Sequence, residues 1–372
     1  MKHKQQIKKA LAGFLACAVI GTNALPAAQQ FSVLSPLSVT ASAASCCSFN
    51  ASTGVLTLSG NVTQSAVFPY RNDTRVKSVV CANGTVFPED CSYMFENFKA
   101  VSMDLSKANT SAVKKMGYMF INCKNMTALD VSHFNTLRCT TMQSMFQNCE
   151  KLKKLDLSSF DVRSVTDLSH MFENCKSLTD LDVHSFAPVK CTTMCGMFAE
   201  CASLTYLNLE TLGYDTGNVT NMSFMFNDCE KLQEIELQSF NTAKVTDMKF
   251  MFQGCKALEW IDLRFWNTAN VTDMCCMFQD CKKMPSLDLI GFNTAKVTNM
   301  NSMFRGCDVL KKIKVSSKFS IAKLTDFSYM FLDSPKLKGK NGTTPASVNY
   351  SSLTDSRKYA RIDKPGQPGF FS

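Results

Sequence analysis

The dipeptide Met-Phe recurs ten times, at Met94, Met119, Met145, Met171, Met197, Met225, Met251, Met277, Met303 and Met330, and eight of the ten extend to MFxxC. Successive steps are 25, 26, 26, 26, 28, 26, 26, 26 and 27 residues. So even a period predicts stacked repeats, each burying its apolar face against its neighbours. The period overrides the two or three domains that 372 residues would otherwise imply. It also favours recognition over chemistry, because a solenoid offers a long, regular surface and few clefts.

The unit FNTAKVTDMKFMFQGCKALEWIDL, residues 240–263, shows how one repeat reads. Met248, Met251, Phe252, Cys255 and Leu258 fall at i, i+3, i+4, i+7 and i+10, the spacing of one face of a short helix. Leu258, Ile261 and Leu263 then follow LxxLxL, whose final alternation marks a strand. A Thr ahead of the Met recurs at Thr140, Thr166, Thr192, Thr220, Thr246, Thr272, Thr298 and Thr325 and, with the Asp or Asn that follows it in six of the eight, reads as a helix N-cap. The expected fold is α/β: a leucine-rich-repeat-like solenoid of about ten stacked units, each a short helix and a short parallel strand, with a cap at either end.

Units such as FNTAKVTDMKFMFQGCKALEWIDL and FNTAKVTNMNSMFRGCDVLKKIKV resemble the repeat of BspA-like leucine-rich repeat surface proteins, over about residues 91–334. The flanks FNASTGVLTLSGNVT and YARIDKPGQPGFFS are similar to that family's caps. The resemblance implies an extracellular or cell-surface protein, often linked with adhesion to host proteins or other cells, and it carries no catalytic residues.

Residues 1–44 read as a bacterial-type export signal: Lys2, Lys4, Lys8 and Lys9 precede the apolar run Ala10–Ala24, and Ala41-Ser-Ala43-Ala44 offers small residues for cleavage. The run is interrupted by Gly13, Gly21 and Asn23, too soon for a transmembrane span. Loss of those four lysines lowers the formal charge from +9 to +5, and no Lys/Arg block interleaved with aromatics points to nucleic acid. No second long apolar segment predicts membrane insertion after signal removal. The C-terminal PGQPGFFS carries no sorting signal, so another component would hold the protein at a surface. The expected organisation is a signal at 1–44, an N-terminal cap at 45–90, the array at 91–334 and a C-terminal cap or tail at 335–372.

Because repeats stack in register, the chain is read as columns. Cys123, Cys149, Cys175, Cys201, Cys229, Cys255, Cys281 and Cys307 form one, expected to be a structural ladder of buried thiols. Thiols spread along a line do not converge on a metal, so neither metal nor cofactor is expected. Cys139 and Cys191 belong to a Val column, and Cys81 and Cys91 could close a disulfide in the N-terminal cap. The paired Met columns read as core filler.

A further column holds Asp104, Asp130, Asp156, Asp182, Asn208, Glu236, Asp262, Asp288 and Lys314 at the outward strand position. Like charges so close need solvent, donor side chains, lysines, a cation or a basic partner to offset them. On the same face Tyr206, Glu234 and Trp260 share a column, with Arg264, Phe265 and Ile290 beside or beyond it. Exposed Trp, Tyr and Arg are the side chains most enriched in binding hot spots. The candidate binding patch is therefore Tyr206, Glu234, Glu236, Trp260, Asp262, Arg264 and Phe265. A two-residue insertion near Leu212-Gly213-Tyr214-Asp215 is a second candidate contact.

Catalysis has little material. His133, His170 and His184 are the histidines outside the signal, and GxSxG, HExxH and phosphate-loop motifs are missing from the sequence. Cys195 with His170 is the nucleophile and base pair that neighbouring columns would allow. The expected function is binding of an extracellular protein or glycan by an exported non-enzyme, in adhesion or host/cell interaction. The alternatives are a structural spacer without specific affinity and, more remotely, a thiol-dependent enzyme.

Overall fold

The computed structural model describes residues 45–209, 215–345, 359–362, 365 and 369–372; the export-signal reading of 1–44 lies outside them. The described chain begins with a hairpin, β1 (Cys47–Asn50) antiparallel to β2 (Val55–Leu58), followed by the four-residue helix α1 (Gln64–Val67). Parallel strands β3 (Ser78–Cys81), β4 (Ser102–Asp104) and β5 (Ala128–Asp130) extend the sheet in the order β1-β2-β3-β4-β5. The same strand position continues as β6 (Lys154–Leu155), β7 (Asp180–Leu181), β8 (Tyr206–Asn208), β9 (Glu234–Glu236), β10 (Ser286–Leu289) and β11 (Lys312–Val315). These pair in parallel as β6–β7, β8–β9 and β10–β11.

A second ladder runs along the turns. Single bridges join Asp90, Lys115, Thr141, Asp167, Thr193, Asn221, Asp247, Asp273, Asn299 and Asp326 one after another, which makes a β-solenoid of about ten coils.

The short helix expected in each repeat is not there. Among the described residues from 91 to 334 none is helical, and the MFxxC segments are chains of tight turns. In one unit Met119 N–H donates to Met116 O (3.3 Å) and Cys123 N–H to Phe120 O (3.2 Å), each closing a four-residue turn. The third residues of those turns, Tyr118 and Asn122, have φ of 61° and 62°, the left-handed region that a type II turn requires there. The intervening amides of Tyr118, Phe120 and Asn122 donate to Gln143, Met145 and Gln147 of the next coil at 2.7, 2.9 and 2.9 Å. Amides thus alternate between closing a turn and joining coils, which satisfies the backbone without a helix. Positive φ recurs just before the Met and just before the Cys through most of the array, as at His170 and Asn174 or Phe250 and Gly254.

The Thr column is corrected with the helix. Thr166 N–H and Oγ–H both donate to Thr140 O (2.9 and 3.2 Å), and the pattern repeats at Thr192, Thr220, Thr246, Thr272 and Thr298. The Asp or Asn that follows does cap, but it caps a turn: Asp247 Oδ1 accepts Lys249 N–H at 3.0 Å.

Inside, the Phe of each Met-Phe is buried and stacks on the next, with ring centroids 5.5 Å apart for Phe95–Phe120 and 5.7 Å for Phe198–Phe226. Burying each such ring stabilises the coil by roughly 1.5–3 kcal/mol. The hairpin β1–β2 covers the first coils. At the other end Phe371 bridges Ile313 and packs edge-on against Phe304 and Phe319.

Candidate functional site

Strand pairing sets the outward columns. Tyr206 of β8 lies beside Glu234 of β9, and Asn208 beside Glu236; Trp260 and Asp262 follow one 26-residue period later. Trp260 is 60% exposed, Phe265 68%, Ile290 50% and Tyr206 47%. Trp266, by contrast, is buried and stacks on Phe240.

Arg264 is tied down. Its backbone N–H and Nε donate to Asp262 Oδ1 at 3.1 and 3.0 Å, and Nη2 to Oδ2 at 2.8 Å. Those hydrogen bonds hold the Asp262 carboxyl below its ordinary range despite some desolvation. The guanidinium also lies 5.8 Å from the centre of the Phe265 ring. Asp262 is thereby covered, with a side chain only 7% exposed, and the aromatic rings and the Arg264 guanidinium are what this part of the face presents.

The acidic column holds itself together by local donors. Asp104 Oδ1 accepts the backbone N–H and the hydroxyl of Ser106 (3.1 and 2.6 Å), and Asp130 those of Ser132 (3.0 and 2.7 Å). Asp182 accepts from His184 in the same way, and Asp288 pairs with Lys314 at 3.5 Å. Hydrogen bonds from Ser106 keep Asp104 below the ordinary carboxylate range. Among the described residues no group of three or more His, Cys, Asp or Glu is placed to hold a metal ion. A groove of about 690 Å³ runs beside Asp104, Asp130 and Asp156, and one of about 310 Å³ brings Tyr206 together with Asp180, Asp182 and His184.

Of the insertion, Leu212, Gly213 and Tyr214 lie outside the described residues; Asp215 Oδ1 accepts Gly217 N–H at 2.7 Å.

The eight ladder cysteines are buried free thiols, and each Sγ donates to the Met-Phe phenylalanine carbonyl of the preceding coil. The Cys175 to Phe146 distance is 3.2 Å. Burial pushes the Cys123, Cys175, Cys229 and Cys307 thiols up to about 12. Cys139 and Cys191 are buried too and donate to Thr141 O and Thr193 O. Cys81 and Cys91 do not form the disulfide that the sequence allowed; both are separate buried thiols.

The structure does bring His170 to Cys195. His170 N–H donates to Cys195 O at 2.8 Å, and the imidazole reaches the Cys195 thiol. Glu173 Oε2 lies 2.6 Å from Nδ1, poorly aligned with it, and favours the imidazolium both through that contact and through its charge. Burial opposes the imidazolium; Cys195 and Glu173 outweigh it and push His170 up to about 10. Ser223 Oγ donates to Cys195 Sγ at 3.3 Å. Glu173 is the third group that column reading did not find, although it stands three residues from His170.

A buried Thr column also escaped the sequence reading. Thr242 Oγ1 accepts Asn267 N–H (2.8 Å) and donates to Asn267 O (3.0 Å), and Thr216, Thr268 and Thr294 staple their next coils likewise. Its signal is the FNT that recurs at the start of several units.

With the coils and columns in place, the comparisons are direct. The family model described as "Mycoplasma protein of unknown function, DUF285" matches residues 89–208, 179–283 and 259–358. The chain belongs to this repeat family. No curated protein matches it. Similar solved structures include a leucine-rich repeat protein from Bacteroides ovatus ATCC 8483, 17% identical, covering 79% of this chain and 91% of that one with a TM-score of 0.27. A leucine rich cell surface protein from Faecalibacterium prausnitzii A2-165 is 14% identical, covers 82% of this chain and 94% of that one, and has a TM-score of 0.32. A leucine-rich repeat protein from Eubacterium ventriosum ATCC 27560 is 15% identical over 78% and 95%, with a TM-score of 0.31. The repeat that resembled BspA-like leucine-rich repeat surface proteins is thus a DUF285 repeat, and these similar structures are leucine-rich repeat proteins.

Proposed function

We propose that this DUF285 repeat protein is an exported, cell-surface or secreted recognition module, without enzymatic activity, that binds an extracellular protein or glycan in adhesion. The observation that carries the reading is the group of exposed rings, Trp260, Phe265 and Tyr206, within three coils of the strand face, with the exposed Ile290 in the next coil. Rings held out to water are unfavourable unless a partner covers them, and such patches mark interaction sites. Arg264, already committed to Asp262, orients Phe265 and supplies a polar rim. A spacer has no need of such a patch. The reading extends to this chain what the name of the F. prausnitzii protein says of that protein, its place at the cell surface.

The test is a binding screen of the chain against extracellular proteins, whole cells and a glycan panel, beside Tyr206→Ser/Trp260→Ser/Phe265→Ser. Arg264 is left in place because its loss would strand the Asp262 carboxylate. Saturable binding that disappears in the folded triple variant supports the patch; equal binding by both proteins overturns it.

A further inference from the structure

Charged neighbours in adjacent coils of this array are repeatedly of opposite sign. Lys124 pairs with Glu150 at 2.9 Å, Lys256 with Glu230 at 2.7 Å and Lys283 with Glu259 at 3.4 Å. At the last coils such pairs continue at Arg305 with Asp333 and Lys314 with Asp288, but lysines also gather on the strand side. Lys311, Lys312 and Lys314 lie in or beside β11, and Lys338 N–H donates to Lys311 O at 2.9 Å, which sets Lys338 beside Lys311 in the next coil. Lys340 follows two residues on. Together these five lysines, with Ile290, Gly339 and Ser372, line a groove of about 530 Å³. Only Lys314 among them has an ion-pair partner among the described residues, Asp288.

Coils stack at roughly 4.8 Å and alternate strand residues stand roughly 7 Å apart, so these ammonium groups crowd one another, and among the described residues only Lys314 is offset by an ion pair. A ligand that brings several anionic groups at similar spacing removes that repulsion and releases counterions. We propose that this groove binds a polyanionic glycan, a chain bearing sulfates or uronic acids.

The lining selects among polyanions. Among the described residues it has no aromatic side chain on which a base could stack, as single-stranded nucleic acid requires. An acidic peptide could instead add as a strand beside β11, but that position is filled: Phe371 bridges Ile313, Ser372 N–H donates to Ile313 O (2.9 Å) and Val315 N–H to Ser372 O (3.0 Å). The cations line a recess, where a sugar chain can enter and a flat bilayer cannot. The groove uses none of the three rings of the aromatic patch, so it stands or falls separately from that reading.

The test measures binding of the full chain to heparin, with Lys312→Gln/Lys338→Gln/Lys340→Gln compared with a control bearing Lys107→Gln/Lys151→Gln/Lys231→Gln, which removes three exposed lysines elsewhere. Melting curves verify that all three proteins fold. The groove variant should lose roughly tenfold in affinity at low salt and the control less than about twofold, with salt weakening the native protein most. Desulfated heparin should bind weakly, and Tyr206→Ser/Trp260→Ser/Phe265→Ser should bind heparin as the native chain does. Equal loss in the two lysine variants would reduce the groove to diffuse surface charge. Tighter binding of polyglutamate, duplex DNA or phosphatidylserine vesicles than of heparin would overturn the glycan assignment.

Discussion

Asn148 Nδ2 donates to Asn122 Oδ1 at 2.7 Å, and both residues sit at φ 62° in the turn that precedes the ladder cysteine. Asn174 extends the chain of amides with a bond of 2.6 Å to Asn148. An amide is suited to this column twice over: it tolerates the left-handed region and carries both a donor and an acceptor for its neighbours.

Asp228 occupies the same column at φ 52° and has no amide to donate. Burial, reinforced by the nearby Glu200 charge, raises its pKa to about 6. A carboxyl raised in the folded state contributes stability that is whole below its ordinary value of 3.8 and is lost as pH climbs through about 6. Asp228→Asn should therefore stabilise the protein at neutral pH by about 1–2 kcal/mol after solvent screening, and flatten the pH dependence of stability between those two values. Urea melts of both proteins across that range are the measurement, and an unchanged pH slope would refute the role assigned to Asp228.

Thiol chemistry should divide the cysteines by position. Cys195, Cys275 and Cys46 are partly exposed, whereas the ladder thiols are buried and spend their protons on carbonyls. Brief alkylation of the native protein, read by peptide mass spectrometry, should label the first group and reach Cys149, Cys175 or Cys255 only after denaturation. Labelling of ladder and exposed thiols at one rate would mean that the coils open far more readily than their packing implies.

The two Thr columns should differ in weight. Thr242→Val keeps the shape but leaves the partly buried N–H and C=O of Asn267 without their shared hydroxyl, a loss of about 1–3 kcal/mol over the two bonds. Thr246→Val removes an exposed hydroxyl bond of 3.2 Å to Thr220 O while the backbone bond beneath it remains, so its cost should stay within about 0.5 kcal/mol. Equilibrium unfolding of the two variants measures the difference directly.

Period, columns and core were legible in the sequence because stacking writes them into every repeat. Met119, Phe120, Cys123 and Met126 do point inward, as a helix face would. A chain of turns, however, turns the same spacing inward, so hydrophobic periodicity alone cannot separate the two. The distinguishing mark was the residue before seven of the eight ladder cysteines: Asn122, Asn148, Asn174, Asp228, Gly254, Asp280 and Gly306 accept positive φ and form helices poorly, and Glu200, before Cys201, is the exception. The thiol-to-carbonyl bonds, the Thr staples and the carboxylate turns depend on where backbone groups of the next coil fall, and a sequence does not display those. The strand face was legible as columns, yet the covering of Asp262 by Arg264 and the unpaired lysines beyond β11 emerged only when neighbouring coils were placed.

His170 offers the last test because two neighbours shape it independently. Gly196, at φ 60°, leaves room for the ring; a Cβ there would stand 2.5 Å from His170 Nδ1. Cys195 and Glu173 raise the imidazole to about 10, so stability drawn from this contact is complete below the ordinary value of 6.5 and is lost as pH rises through about 10. In a nuclear magnetic resonance titration His170 should remain protonated at neutral pH. Glu173→Gln removes charge without bulk and should move the midpoint down while the protein stays folded. Gly196→Ala should instead push the ring from its place and destabilise the coil through backbone strain, by roughly 1–2 kcal/mol. If Glu173→Gln leaves the midpoint where it was, the carboxylate is a bystander and Cys195 alone holds the proton on His170.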